Sequence, residues 1–138
     1  MIILDTNVIS ELMHVTPAAK VIAWIDRQDR ESMWISSITI FEVTFGLAVM
    51  AAGGKQSVLR RSFGELRSKL EDRIALFDEA AAEKTAELMA TRQKSGTPRD
   101  LRDTMIAGIV LAHHASLATR NVTHFADISA TVINPWTA

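Results

Sequence analysis

The order of apolar and polar residues along the chain predicts short buried strands that alternate with helices. Five apolar runs have the length of a strand, at residues 1–4, 33–36, 74–77, 116–119 and 130–134. The runs are continuous rather than alternating, which is typical of strands buried on both faces of a parallel sheet. Apolar residues at helical spacing fill the intervals, at residues 18–28, 39–51, 55–73, 78–96 and 103–115. The pattern predicts an α/β fold around a central, mostly parallel sheet.

Capping and glycine signals predict where some of these helices begin and end. Asp78 is a suitable N-cap for the alanine-rich helix that follows it, and Gly96 is a suitable stop. The pair Gly53-Gly54 is expected to end the helix that contains TIFEVTFGLAVMA.

Composition limits the class of protein. A length of 138 residues is that of one domain, here residues 1–138, and 48% hydrophobic with 22% charged residues is ordinary for a globular protein. A net charge of −1 argues against binding of nucleic acid by bulk charge alone, but not against a nucleic-acid enzyme in which metal ions supply positive charge. The absence of cysteine excludes disulfides, thiolate metal sites and cysteine nucleophiles. No signal peptide or membrane-spanning run is evident, so we expect a cytoplasmic protein without membrane contact.

Asp5 directly follows the first predicted strand, in the segment MIILDTNVIS. Aspartate is a favoured N-cap, so Asp5 can cap a helix that begins in DTNVISELM. Ligands of open parallel sheets also bind beyond the carboxyl ends of the strands, where Asp5 is expected to lie. The two interpretations are compatible.

Glu42 has almost no charged neighbour in the segment ITIFEVTFGL. An ionised carboxylate on an apolar helix face is destabilising unless it is paired or coordinated. A capping box, with Thr39 as the N-cap, is one explanation, but it requires the helix to begin at Thr39. A start at Ser36 or Ser37 would leave Glu42 inside the helix, and we favour a functional role for it.

Two further acids, Asp100 and Asp103, lie at the start of an apolar helix in PRDLRDTMIAG. Either can cap that helix, and Arg99 and Arg102 are available to pair with them. Taken singly, a capping role is the simpler interpretation of both.

The combination of these acids carries more information than each acid alone. Acids occur at a strand end, within an apolar helix and at the start of another, and the chain has no cysteine and only four histidines. Oxygen ligands of this kind favour Mg²⁺ or Mn²⁺ over transition metals. Ions held by carboxylates bind phosphates and activate water for phosphodiester cleavage.

Four segments occur in the order found in PIN domains: ILDTNVISEL, ITIFEVTFGL, DTMIAG and LATRNVTHF. Over almost its whole length the sequence resembles PIN-domain ribonuclease toxins of the VapC and FitB type, and the closing INPW is similar to the tail of the FitB-like subgroup. The resemblance implies a three-layer fold and a Mg²⁺-dependent endoribonuclease, with Mn²⁺ possible, that leaves a 5′-phosphate and a 3′-hydroxyl. It also implies a homodimer and a cognate antitoxin, whose complex with the toxin binds promoter DNA.

The same resemblance assigns roles to individual residues. Catalysis and metal binding fall to three acids: Asp5, Glu42 and Asp103. Asp103 is preferred over Asp100 because the acid of the family lies three residues before an Ile-Ala pair, here residues 106–107. The supporting polar shell consists of Thr6, Asn7, Thr119 and Asn121.

One position departs from the family pattern. A fourth acid is common there in TRN-x-x-D-F, whereas this chain reads TRNVTHF and has His124 at that place. We expect His124 to be a surface or packing residue, and Asp127 to be a poor substitute for the acid. A single ion held by the protein, with another recruited by the substrate, fits this departure better. The same departure supports an alternative function, a catalytically weak PIN-like regulatory subunit that acts through its antitoxin complex and DNA binding.

Aromatic and basic residues have simpler interpretations. The three tryptophans, Trp24, Trp34 and Trp136, are expected to fill the core or an interface rather than to stack on bases. The basic residues of 55–73 are expected to form a solvated helix face. The apolar helices around 43–50 and 59–66 are candidates for pairing with a second copy or with an antitoxin helix.

Overall fold

A computed structural model describes all 138 residues. It contains one parallel sheet with the strand order β3-β2-β1-β4-β5. The strands are β1 (Ile2–Leu4), β2 (Met33–Ser36), β3 (Ile74–Ala75), β4 (Ser116–Ala118) and β5 (Val132–Ile133). Each lies within a run predicted from the sequence, so the α/β class with a parallel central sheet is confirmed.

Six α-helices connect the strands. They are α1 (Thr6–Leu12), α2 (Ala19–Asp26), α3 (Ser37–Ala48), α4 (Gly54–Lys69), α5 (Glu79–Lys94) and α6 (Leu101–Ala112). Short 3₁₀ turns occupy Arg30–Ser32 and Val122–Phe125. None of the helices combines the length and the apolar character needed to cross a bilayer.

The sheet is buried on both faces, which explains why its strands are continuously apolar. Leu4 and Ile35 belong to a core cluster that α1, α2, α3 and α4 complete. Ile3 and Leu117 point into a second cluster, which α5 and α6 cover. Successive side chains of a strand point to opposite faces, so helices on both sides produce the three-layer arrangement.

Helices α5 and α6 approach each other closely at Gly108. A Cβ atom at this position would overlap Thr85 Oγ1 and lie 2.7 Å from the carbonyl oxygen of Ala81. Thr85 is itself fixed, because its hydroxyl donates a 2.7 Å hydrogen bond to that same carbonyl. Only glycine allows this contact, which sets where α6 lies on the sheet.

Several predicted helix ends are corrected by the structure. Helix α3 ends at Ala48, five residues before Gly53, and Gly54 begins α4. The prediction that the glycine pair stops this helix was therefore wrong, since the pair instead precedes the next helix. The third strand is also shorter than predicted and keeps only its first two residues.

The capping predictions have mixed outcomes. Asp78 accepts a hydrogen bond from the backbone N–H of Ala81, and Gly96 has a φ of 69°, so the predicted start and stop of α5 are confirmed. At α6 the cap is Asp100, which accepts from the N–H groups of Arg102 and Asp103. Asp103 therefore lies in the first turn of that helix and does not cap it.

Candidate active site

Asp5 lies at the carboxyl end of β1, between the ends of β2 and β4. Its backbone N–H donates to the carbonyl of Ala118 at 2.9 Å, which continues the pairing of β1 with β4. Its carboxylate, 3% exposed, accepts hydrogen bonds from the Thr6 N–H at 2.8 Å and the Thr119 hydroxyl at 2.7 Å. Asp5 thus caps α1 and also lies where parallel sheets bind ligands, so both interpretations of this residue fit.

The electrostatic environment of Asp5 disfavours its charge. Burial is the largest cause, and it raises the pKa of Asp5 to about 6, although hydrogen bonds from Thr119 and Thr6 favour the ionised form. Repulsion from Asp103 and Glu42 raises this pKa further. None of the contacts that shift the pKa is a cation.

Glu42 is held inside α3 rather than at its start. The N-cap is Ser36, whose hydroxyl oxygen accepts from the Thr39 N–H at 3.0 Å, so a capping box with Thr39 is excluded. The Thr6 hydroxyl donates to Glu42 Oε1 at 2.7 Å, and Arg102 Nε lies 3.7 Å from Oε2. The acid is therefore oriented by α1 and partly paired by α6.

Asp103 faces the same space from the first turn of α6. Its nearest basic partner is His124, whose Nδ1 lies 3.4 Å from Asp103 Oδ2. His124 is at the surface, as expected, but it contacts a predicted ligand. Asp127 is engaged elsewhere, with Arg92, which agrees with its expected failure to replace the missing acid.

The predicted residues share one open pocket of about 420 Å³. Its lining residues are Asp5, Thr6, Asn7, Ser10, Glu11, His14, Glu42, Asp103, Arg120, Asn121 and Trp136. All three predicted acids and three of the four polar-shell residues line it. The fourth, Thr119, is fully buried and lies beneath the pocket, where its hydroxyl accepts from Asn7 Nδ2 at 3.2 Å and donates to Asp5.

Sequence reasoning missed five lining residues. Ser10, Glu11 and His14 follow Asn7 at intervals of three, four and seven residues, which places them on the same side of α1 and its C-terminal turn, so helical spacing could have found them. Arg120 adjoins Thr119 in the chain. Trp136 was expected to fill the core or an interface; it packs against the core but also lines the pocket. It lies more than a hundred residues from Asp5, and no local pattern places it there.

The donor set is suited to a hard divalent cation. The acids, hydroxyls and amides around Asp5 offer oxygen atoms and no sulfur, which is the chemistry that Mg²⁺ and Mn²⁺ prefer. No group of three acidic or histidine side chains lies at coordinating distance, and Glu42 and Asp103 point to Arg102 and His124 instead. Both partners are about half exposed, so their contacts with Glu42 and Asp103 are weak, although Glu42 is also held by the 2.7 Å hydrogen bond from the Thr6 hydroxyl.

Comparison with known proteins identifies the family. The PIN-domain family model matches residues 2–130. The chain belongs to the PIN-domain family. This PIN domain is 42% identical to VapC ribonuclease Y4jK of Sinorhizobium fredii, over 99% of this chain and 98% of that protein. It is 34% identical to toxin FitB of Neisseria gonorrhoeae, over 99% of both chains.

A solved structure agrees with this assignment. The structure of FitAB bound to an IR36 DNA fragment superposes with a TM-score of 0.89 at 34% identity, over 99% of this chain and 96% of that chain. The resemblance noted from the four motifs is therefore confirmed, and the PIN domain is of the VapC/FitB toxin type. It is a nuclease domain homologous to the VapC ribonucleases.

Proposed function

We propose that this PIN domain is a Mg²⁺-dependent endoribonuclease and the toxin of a toxin–antitoxin pair, in which Asp5, Glu42 and Asp103 hold the ion. The observation that carries the proposal is the state of Asp5. Its carboxylate is buried and faces two other acids, and no basic side chain is among the groups that shift its pKa. A divalent ion would remove this repulsion, and Mn²⁺ meets the same requirement.

Neighbouring hydroxyl and backbone groups orient the carboxylate oxygens of Asp5 and Glu42. Thr119 and Thr6 hold the two oxygens of Asp5, and the Thr6 hydroxyl also orients Glu42. An ion at such a site would lower the pKa of a bound water and would place its own positive charge beside a phosphate. Asn121 is exposed at the pocket and can present its amide to a bound substrate, whereas the Asn7 amide is engaged with Thr119 and the backbone N–H of Arg120 and holds the pocket wall. By resemblance to the family, we expect hydrolysis of RNA that leaves a 5′-phosphate and a 3′-hydroxyl.

Cleavage of RNA by the purified chain, free of any antitoxin, tests the proposal. We expect Mg²⁺-dependent cleavage that Asp5→Asn reduces by at least about a thousandfold, because the variant removes a charged metal ligand. Glu65→Gln, on the exposed face of α4, serves as the matched control and keeps full activity. Equal cleavage by wild type and Asp5→Asn would refute the proposed metal site.

The alternative function is a catalytically weak regulatory subunit. It is favoured by the position of His124, which stands where the family often has an acid and pairs with Asp103. This function predicts no cleavage of any RNA with Mg²⁺ or Mn²⁺, together with intact binding of antitoxin and of DNA by the complex. Cleavage that survives His124→Ala and is lost in Asp103→Asn would exclude it.

The partners are part of the same proposal. Phe41 and Phe45 on α3, and Val49 just after its end, form an exposed apolar stripe, in which the two phenylalanine rings stack at a centroid distance of 6.3 Å. We expect this apolar stripe to be covered by a second copy of the chain or by the antitoxin. FitAB, which resembles this chain, was solved on DNA. We therefore expect binding to promoter DNA only through the antitoxin complex, which gel-shift measurements with and without antitoxin will test.

A further inference from the structure

The pocket has one apolar wall, and it is an aromatic ring. Of the eleven lining residues only Trp136 is apolar. The other residues are acids, hydroxyls, amides and two basic side chains. A flat indole in a polar pocket offers a surface that neither a metal ion nor a phosphate uses.

A guanidinium group lies against this ring. The Cζ atom of Arg120 is 5.0 Å from the centre of the Trp136 ring, within the range of a cation–π contact. Arg120 is the only lysine or arginine that lines the pocket. Its backbone N–H donates to Asn7 Oδ1 at 3.1 Å, so the residue is anchored at the pocket while its side chain stays exposed.

The position of the indole is fixed by the last turn of the chain. Asn134 Oδ1 accepts from the backbone N–H of Trp136 at 2.9 Å, and the Asn134 carbonyl accepts from the backbone N–H groups of Thr137 and Ala138. Arg27 donates from its guanidinium to the carbonyl of Ala138 at 3.3 Å. The indole also packs against the core cluster around Leu4. The aromatic wall is thus held from two sides.

The negative charge of the pocket is a reason for RNA to bind through base stacking on Trp136. Four carboxylates line it, against Arg120 and His14, so a phosphate backbone is repelled unless a metal ion is present. The net charge of −1 gives no compensating attraction from the rest of the chain. Stacking on an aromatic ring or a guanidinium plane binds the face of an unpaired base rather than the phosphate backbone, and the faces of paired bases are covered by their neighbours.

We propose that Trp136 and Arg120 form a stacking platform for one unpaired base next to the scissile phosphate. The proposal rests on the proposed function, because the neighbouring phosphate must lie at the acids. Trp136 supplies the aromatic face, and Arg120 supplies a second plane together with the one fixed positive charge at the pocket.

Binding measured by fluorescence anisotropy tests the platform, with Ca²⁺ replacing Mg²⁺ to limit cleavage. The probes are a labelled single-stranded RNA, its abasic counterpart of equal length, and the corresponding duplex. We expect wild type to prefer the single strand, and Trp136→Ala to bind it about tenfold more weakly, as for the loss of one stacked base. Trp136→Phe should retain most of the affinity for the single strand. The abasic strand should bind wild type and Trp136→Ala equally.

Arg120→Ala provides a second variant that does not depend on packing, because this side chain is exposed. We expect it to weaken binding of the single strand several-fold. Trp34→Phe and Arg30→Ala are matched controls outside the pocket and should behave as wild type. Unchanged affinity in both Trp136→Ala and Arg120→Ala, no preference for single strand over duplex, or equal losses with the abasic strand would overturn the platform.

The outcomes separate this proposal from the nuclease proposal. Wild-type cleavage with Mg²⁺, combined with unaltered RNA binding in both platform variants, overturns the platform and leaves the nuclease intact. Binding that depends on Trp136 and on the bases, combined with no cleavage under any divalent ion, supports the platform and refutes the nuclease.

Discussion

Two regions of the molecule bury a charged side chain, and they treat the charge differently. Arg92, on α5, is 2% exposed, and both oxygens of Asp127 accept hydrogen bonds from it at 2.8 Å. The Thr104 hydroxyl and the His124 carbonyl accept further hydrogen bonds from the Arg92 guanidinium. The hydrogen bonds with Arg92 lower the pKa of Asp127 below its usual range. This charge is satisfied entirely within the chain.

Asp5 is buried to the same extent as Arg92, but no basic side chain compensates its charge. Its hydrogen bonds come from neutral groups, its charged neighbours are acids, and its pKa rises to about 6. A buried charge that the chain compensates stabilises the fold, whereas one that the chain leaves uncompensated indicates a ligand. The difference between Arg92 and Asp5, two equally buried charged side chains, is therefore the best internal indication of where the function lies.

Breaking the compensated pair should have the largest effect on stability. Asp127→Ala leaves Arg92 buried without its counterion, and we expect the free energy of unfolding to fall by about 3 kcal/mol. Glu83→Ala, on the exposed side of α5, is the control and should change stability by less than about 0.5 kcal/mol. Urea unfolding at pH 7 measures both, and equal stability of the two variants would show that the ion pair is dispensable.

The close contact of α5 and α6 at Gly108 should have the next largest effect on stability. Gly108→Ala places a methyl group against Thr85 and the carbonyl of Ala81, so α5 and α6 must separate. We expect a loss of about 2 kcal/mol in the free energy of unfolding, as for overpacking of a core. Gly64→Ala, in the middle of α4 with open space at its Cβ, should instead stabilise the protein slightly. Thermal unfolding of the two variants should therefore move in opposite directions.

Removing the charge of Asp5 should change the free energy of unfolding by less, and should raise it rather than lower it. The pKa of Asp5 is about 6 in the folded protein against 3.8 for an unperturbed aspartate. The folded state thus binds more protons between these values, and the contribution of Asp5 to stability falls as pH rises through this window. The full penalty is about 3 kcal/mol, and asparagine recovers part of it while weakening the Thr119 hydrogen bond. We expect metal-free Asp5→Asn to be about 1–2 kcal/mol more stable than wild type at pH 7.5.

The pH dependence distinguishes this cause from a simple packing change. The stability difference between Asp5→Asn and wild type in EDTA should open between about pH 4 and 6 and remain constant above about pH 7. A difference that does not vary with pH would mean that the charge of Asp5 is not what destabilises the metal-free protein.

Much of the fold could be predicted from local patterns. The second strand matches its predicted bounds, Met33–Ser36, because a strand buried on both faces must be continuously apolar. Asp78 and Gly96 were recognisable because caps depend on neighbouring residues alone. The choice between Asp100 and Asp103 as cap could not be made from spacing, since both precede the same apolar helix.

Features that depend on distant residues were beyond prediction. The burial of Arg92 follows from its contact with Asp127, thirty-five residues later, and an isolated arginine on an alanine-rich helix gives no sign of it. The pairing of Arg102 with Glu42 and the place of Trp136 in the pocket also depend on how the elements pack. Asp5 and Glu42 were identifiable because each adjoins an apolar run, whereas Asp103 was chosen over Asp100 only by resemblance to the family. Their common pocket is a result of the fold.

Calorimetric titration of the metal-free chain with Mg²⁺ at pH 7.5 tests the central claim most directly. Wild type and Glu65→Gln should bind the ion with the same affinity, and Asp5→Asn should show no measurable heat of binding over the same range. Equal binding by wild type and Asp5→Asn would contradict the claim that the buried, uncompensated carboxylate at the end of β1 is the centre of a metal site.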